Sequence, residues 1–574
     1  MFIKMQKIIL LATLSFALPF FGQTKPQDSL KTEDILVVKP YTPEAKNVTK
    51  IKTNAELDES NGDLKRKSTY DITDFPVAST YKPNKGKAAG IAKKKKSQVF
   101  RNYLKAGFGN YTTPLFEAFV EAGDEKKQRY GLSAKHHSSQ GGIDKLLLED
   151  AFSDTDVSVF YKQNQRYSNW EAKAGVAINS INYYGIDQEL PFTQNLIDNT
   201  DEQQSYQKLY AQGVFLNDDS FFEGGKMDVY NFSDKFSSNE FRFTAKPNFR
   251  LPIANDRITA LASIDYLTGG FKQTYNSSNK LNYQFANIGI SPSYELIGKN
   301  SKLNIGGRFY IANDLENSES NLLAYPDVIF STKIINELSL SLGVTGDLIQ
   351  HSYQEFSAQN PFISPTQSIQ ATDNKYKAFV EAKGNATANI SYGLGASFST
   401  EENKALFKQN QIQTNGTTLV DSYQLGNSFS AVYDNVTVFG INGNVAADFN
   451  NLKLQAGFDF NDYSMQDEAE AWNLPTLTGR IQANYIYNKW TLGAKLFLVS
   501  ATKDSVLEFA QSIPTTVEND SYADLNLSGA YRFSDRLSAF LNLQNVFNQN
   551  YPRFYNYQVQ PFQVLAGMMY KFDL

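Results

Sequence analysis

The chain contains no cysteine, so neither a disulfide framework nor a thiolate metal site is open to it. Its three histidines, His136, His137 and His351, are too few for a histidine-rich metal centre. After the N-terminus no apolar run reaches the length of a membrane-spanning helix. The sequence has neither a G-x-x-x-x-G-K-S/T loop to cradle phosphates nor a G-x-S-x-G nucleophile elbow. A net charge of -5 argues against a nucleic-acid partner. Nothing calls for a cofactor or a metal.

What the chain does have is aromatic residues, with 33 Tyr and 42 Phe, spread among many Asn, Asp and Ser. That mixture points to β-structure rather than helix. The first residues place Lys4 and Lys7 ahead of an apolar run from Ile8 to Phe21, the form of a secretory signal peptide over 1–23. Residues 24–99 then read as a polar periplasmic arm. Stretches such as YKPNKGKAAGIAKKKK bury too little apolar area to offset the entropy of ordering them. Lys93 to Lys96 form either a solvated linker or a contact with acidic headgroups at the inner rim.

From Phe100 the hydrophobic period becomes two. In LKLQAGFDF, Leu452, Leu454, Ala456, Phe458 and Phe460 share one side, and Lys453, Gln455 and Asp459 the other. YKAFVEAK sets Tyr376, Ala378, Val380 and Ala382 opposite Lys377, Glu381 and Lys383. Long strands with one apolar face, following a signal peptide, predict an all-β fold over 100–574. The expectation is a transmembrane antiparallel β-barrel, lipid outside and polar groups inside. Lys377, Glu381, Lys383, Lys453, Asp459 and Lys571 are then candidates to face the lumen.

A first strand count gives 23, which would leave the termini on opposite membrane faces. Treating Tyr433-Asp434-Asn435 as the interior of one long strand, 422–448, brings the number to about 22. Every short turn then falls at the periplasmic end. The longer connections near 138–150, 181–204, 350–373, 401–421, 463–474, 501–519 and 548–561 fall outside, with 410–415 expected as an accessible loop. The last strand closes the barrel against the first, near 102–109. Its apolar face comprises Phe562, Val564, Ala566, Met568, Tyr570 and Phe572.

The stretch YADLNLSGAYRFSDRLSAFLNLQNVFNQNYPRFY at 522–555 resembles the C-terminal barrel region of TonB-dependent outer-membrane receptors. The matching positions are Tyr531, Arg532 and Phe533, then Asn545, Val546, Phe547 and Asn548, then Tyr551. The final VLAGMMYKF is similar to that family's terminal strand, and the composition and Phe21-Gly22-Gln23 ending resemble a Bacteroidota-type protein. The resemblance implies a 22-strand barrel in the outer membrane, in contact with lipid and lipopolysaccharide. It also implies a plug domain well over a hundred residues long, for which the arm 24–99 is too short and polar. Asp34, Ile35, Leu36, Val37 and Val38 resemble the box that recruits an energy-coupling protein.

The expected function is solute passage or membership of an outer-membrane complex, with envelope partners reached through 24–99 or the outer loops. The alternatives are an assembly or secretion scaffold sealed by loops or a partner, and energy-coupled nutrient uptake through 34–38. Carboxylate pairs at Asp201–Glu202, Glu401–Glu402 and Glu468–Glu470 lack any repeated ligand spacing, and no catalytic constellation accompanies them. The stretch GGIDKLLLED at 141–150 reads as a lid element or a plain turn.

Overall fold

A computed structural model describes residues 99–574, apart from 219, 254–255 and 508–512. The segment 1–23 expected as a signal peptide, nearly all of 24–99 expected as an arm, and the expected box at 34–38 lie outside the described residues. Twenty-two strands form one closed antiparallel sheet. They begin with β1 (Asn102–Gly109), β2 (Thr113–Asp124), β3 (Gln128–Ser139), β4 (Phe152–Asn164), β5 (Ser168–Asn182), β6 (Gln203–Asn217) and β7 (Phe222–Asp234). Then come β8 (Asn239–Ile253), β9 (Asp256–Phe271), β10 (Leu281–Ile297), β11 (Ser301–Asp314), β12 (Glu319–Ile335), β13 (Leu338–Gln350) and β14 (Ala371–Thr387). The ring ends with β15 (Ile390–Gln409), β16 (Phe429–Phe449), β17 (Leu452–Met465), β18 (Leu477–Tyr487), β19 (Trp490–Val499), β20 (Tyr522–Arg532), β21 (Leu537–Gln544) and β22 (Gln563–Phe572).

Alternation along each strand sorts the side chains. In β10, Tyr283, Phe285, Asn287 and Gly289 are buried, while Ile288 and Ile290 on the opposite face are exposed. Leu104 and Phe108 of β1 and Met568 and Tyr570 of β22 belong to the same exposed apolar exterior. Water would not tolerate so continuous a band, whereas a bilayer requires it. The interior is ionic. Lys105 pairs with Glu117 at 3.0 Å, Arg129 with Glu121 at 3.4 Å, and Arg308 with Asp347 at 2.9 Å.

The turns after even-numbered strands are short, and the long connections all follow odd-numbered ones. With 22 strands both ends of the barrel domain therefore emerge on the short-turn side. The strand carrying Tyr433-Asp434-Asn435 is indeed continuous, but it runs 429–449 instead of 422–448. Residues 422–428 belong to the preceding connection. Asp434 is buried, and its carboxylate accepts from the backbone N–H of Gln466, Asp467 and Glu468 at 2.9–3.2 Å. A tag inserted at Asp434 should interrupt both this cap and the ladder to Lys404, and so lower the yield of heat-modifiable barrel. Full folding with the tag displayed would contradict the continuous strand.

Two expectations at the loops need correction. β15 extends to Gln409, so Glu401 and Glu402 lie in a strand. Residues 410–415 are not an open loop, because Ile412 and Thr414 are buried. Thr417 to Leu419 form an exposed run in that connection, with Asn415 and Asp421 exposed on either side.

Closure runs through eight register pairs, from Asn102 opposite Phe572 to Gly109 opposite Leu565. Phe562 precedes the strand, where its carbonyl accepts from the side chains of Asn110 and Tyr111. Gly107 and Gly567 face each other across this seam. The Phe540 ring fills the space their missing side chains leave, so a Cβ on Gly107 would lie 2.8 Å from Phe540 Cζ. A Cβ on Gly567 would run into the Ala106 carbonyl oxygen. Gly567→Val should therefore cost about 1–3 kcal/mol as an overpacked site and slow closure, read as a lower folded fraction on refolding into detergent.

Candidate functional site

Five long connections contribute to one structure at the end opposite the short turns. They are 140–151, 183–202, 351–370, 410–428 and 545–562, rising from points spread around the ring. Chains anchored so far apart on a closed wall can meet only across its opening. They do meet. Tyr183 Oη donates to the Ile363 carbonyl at 2.7 Å, and Asn427 Nδ2 donates to the Tyr183 carbonyl at 2.6 Å. Tyr184 Oη donates to the Gln558 carbonyl at 2.8 Å, and Tyr557 Oη to the Asn427 carbonyl. Phe362 stacks on Tyr557, and Ile363 forms a parallel bridge with Phe429.

These contacts enclose a true hydrophobic core. Tyr353, Phe356, Ile363, Phe429 and Tyr557 are almost completely buried, packed against inward residues of the wall such as Tyr206, Phe232, Leu267, Phe271 and Tyr283. A second cluster joins Leu148, Ile186, Leu196 and Leu425. The stretch 141–150 is thus part of the cover, as the lid-element reading had it, and not a plain turn. Leu148 anchors it to the cover, and Asp150 accepts from Gly142 N–H at 3.0 Å and from Gln560 Nε2 at 3.2 Å. Two short helices stiffen the assembly, α1 (Gln194–Asp198) capped by Thr193 and α2 (Tyr353–Gln359) capped by Ser352.

The wall grips α2 through one carboxylate. Glu240 of β8 is fully buried and accepts from Tyr353 N–H at 2.6 Å, Gln354 N–H at 3.1 Å, Tyr283 Oη at 2.8 Å and Tyr230 Oη at 2.9 Å. It thereby satisfies helix N–H groups that have no partner within the helix. Two residues on, Arg242 bonds Asp265 through two nitrogens at 2.7 and 2.9 Å, Glu355 at 2.9 Å and the Gln350 carbonyl at 3.0 Å.

Titration acts on the loops of this end in opposite directions at two places, one in the cover and one in a neighbouring hairpin. Burial pushes His351, at the root of the 351–370 connection, down to about 4, helped by Lys404 and Arg242. Its neutral form is the folded form, so docking is fully stable above about pH 6.5 and weakens as pH falls toward 4. Asp504 lies in the loop hairpin Thr502–Val506 with Thr515–Asn519. Burial pushes it up to about 7, against N–H donors from Asn473 Nδ2, Gln409 and Ser505. A raised carboxylate favours the folded form at acid pH and loses that advantage as pH climbs from about 4 to 7, a change of about 4 kcal/mol over three units. Hydrogen exchange should therefore show the hairpin better protected at pH 5 than at pH 8. Asp504→Asn should flatten that profile, and an unchanged profile in the variant would refute the assignment.

The lumen candidates do not converge on the cover. Lys377, Glu381 and Lys383 lie along β14, and Glu381 pairs with Lys383 at 2.5 Å. Lys453 pairs with Asp448 at 2.9 Å, both exposed beside a short turn. Asp459 stands in register with Asn442, and Lys571 with Tyr103 at the closing seam. The carboxylate pairs are engaged by cations. Asp201 meets Lys235 at 2.5 Å, Glu401 meets Lys404 at 2.6 Å, Glu468 meets Lys408 at 3.0 Å and Glu470 meets Lys503 at 2.7 Å. Among the described residues no group of three or more carboxylates or histidines is placed to hold a metal ion.

No protein-family model and no curated protein sequence matches this chain. Solved structures do. The FrpB iron transporter of Neisseria meningitidis superposes with a TM-score of 0.61 at 11% identity, covering 82% of each chain. The ferric-catecholate import receptor Fiu of E. coli K12 gives 0.59 at 9% identity, over 83% of this chain and 82% of its own. The ferripyoverdine receptor of the Pseudomonas aeruginosa outer membrane gives 0.57 at 12%, over 83% of this chain and 72% of its own. This chain has their fold. Such identities establish architecture alone, and the residues of the loop cover have to be read from this chain itself.

Proposed function

We propose that this protein is an outer-membrane barrel for solute passage whose outer loops close its own mouth. The observation that carries the reading is the interlocked core around Tyr353, Phe429 and Tyr557, built by connections from well-separated strands. A ring of 22 strands encloses a lumen wide enough for solutes, and unsealed it would breach the permeability barrier. The likeness to transporters and receptors of iron compounds supports traffic through the barrel. Clamps through Glu240 and Arg242, and not a covalent tie, hold the cover, so it can open.

In this reading the arm 24–99 is not a folded plug but an extended segment available to envelope partners. Swelling of liposomes containing the purified chain tests the proposal. Small neutral solutes should enter slowly with the native chain and rapidly when residues 353–360 are replaced by a short Gly-Ser linker. Equal rates for both, with each barrel folded, would overturn it. The scaffold alternative would instead be favoured by a stable set of chains crosslinked in native membranes and lost on deletion of 34–90.

A further inference from the structure

At the edge of the cover, between the connection 272–280 and the cover loop 410–428, lies an open cavity of about 480 Å³. We propose that it binds a neutral polyhydroxylated ligand, a sugar unit of about one or two rings. This goes beyond the closed-mouth reading and does not depend on it.

The site is built rather than incidental. Its two loops rise from β9–β10 and β15–β16, yet they are cross-braced. Tyr275 Oη donates to the Gln411 carbonyl at 2.8 Å, and Gln413 Nε2 donates to Asn276 Oδ1 at 3.1 Å. Gln273 Nε2 donates to Tyr423 Oη at 2.6 Å and to Asp421 Oδ2 at 3.1 Å. Tyr423 is itself locked, nearly fully buried and edge-on to Phe236 with centroids 4.9 Å apart. The floor therefore keeps its shape without a ligand.

Those braces use one end of each amide side chain and leave the other. Gln273 Oε1, Asn276 Nδ2 and Gln413 Oε1 remain to meet a ligand, two acceptors and one amide donor. The Asp421 carboxylate, which also accepts from Tyr423 Oη at 3.1 Å and caps the turn at Gln424, lines the same cavity. A carboxylate and amides set around a cavity match a ring of hydroxyls, each of which both donates and accepts. The lining contains no cationic side chain, so an anionic ligand would lose its hydration without a charge partner. Leu419 and Val420 add a small apolar wall suited to the C–H face of a sugar. The volume lies within the range of small-ligand sites.

The test uses the full chain purified in a detergent without a sugar headgroup, titrated calorimetrically with maltose, lactose and cellobiose, with citrate as the anionic control. At least one disaccharide should saturate with a Kd on the order of 1 mM or below, and citrate should not bind. Asp421→Asn, which preserves shape, should weaken that binding at least tenfold, as should Gln413→Ala. Both variants should retain heat-modifiable mobility, so that lost binding is not lost barrel, and the closed-mouth reading is tested separately by the swelling rates of the native chain and the 353–360 replacement. No saturable binding by any of the three disaccharides, binding of citrate alone, or disaccharide binding indifferent to Asp421→Asn would overturn the proposal.

Discussion

Replacing Glu240 by leucine should release α2 from the wall and open the mouth. The side chain is fully buried and accepts four hydrogen bonds, two from the first N–H groups of α2 and two from Tyr230 and Tyr283. Leucine would leave the Tyr353 and Gln354 N–H groups and Tyr283 Oη without that acceptor in a site closed to water, while Tyr230 Oη keeps Ser352 Oγ at 3.2 Å. An unsatisfied buried polar group costs about 1–3 kcal/mol, so the three together exceed what one short helix gains by docking. The barrel wall stays intact, because the ladder of β8 uses backbone groups only. Hydrogen exchange over 351–370 should accelerate by several orders of magnitude while the strands stay protected. Glu240→Gln, which keeps one acceptor, should fall between leucine and the native residue. Native-like protection of 351–370 in the leucine variant would mean that α2 is held by packing alone.

Charge on the outer wall should act on assembly instead of gating. Met568 is 57% exposed on the apolar exterior of β22, between Ala566 and Tyr570. An acidic residue there meets lipid, and charged substitutions on the lipid face cost about 2–4 kcal/mol near the midplane and about 0–1 near the interface, with acids below bases. Met568→Asp should therefore sharply reduce heat-modifiable barrel. Phe572→Asp should do less, since Phe572 ends the strand and stacks on Tyr570 beside the short-turn rim. Because β22 pairs with both β1 and β21, the damaged strand is the one that must close the sheet. Equal, undetectable effects would place Met568 elsewhere than against lipid.

The barrel was legible in the sequence because its physics is local. A period of two assigns each residue to lipid or lumen, and the short turns fix parity, which is why one continuous strand through Asp434 was enough to bring the count to 22. The seam glycines were harder. Gly107 and Gly567 matter through the Phe540 ring that covers them, a partner set by the closing register. The cover was not legible at all. Tyr183, Tyr353, Tyr423 and Tyr557 sit in polar, Asn-rich connections with no periodicity, and each finds its partner a hundred or more residues away. Reading such loops as solvent-exposed led to the misplaced opening at 410–415. Glu240 carried one weak signal, an acid at the very start of a strand, but its four donors come from three different elements.

Single-channel recording most directly tests the claim that this barrel's own outer loops close it. Purified native chain in a planar bilayer should show little or no steady conductance. Glu240→Leu, or replacement of 353–360 by a Gly-Ser linker, should give large and long-lived openings. A large constant conductance from the native chain would contradict the account. So would a native chain that stays closed after both changes, because its seal would then lie somewhere other than the loops.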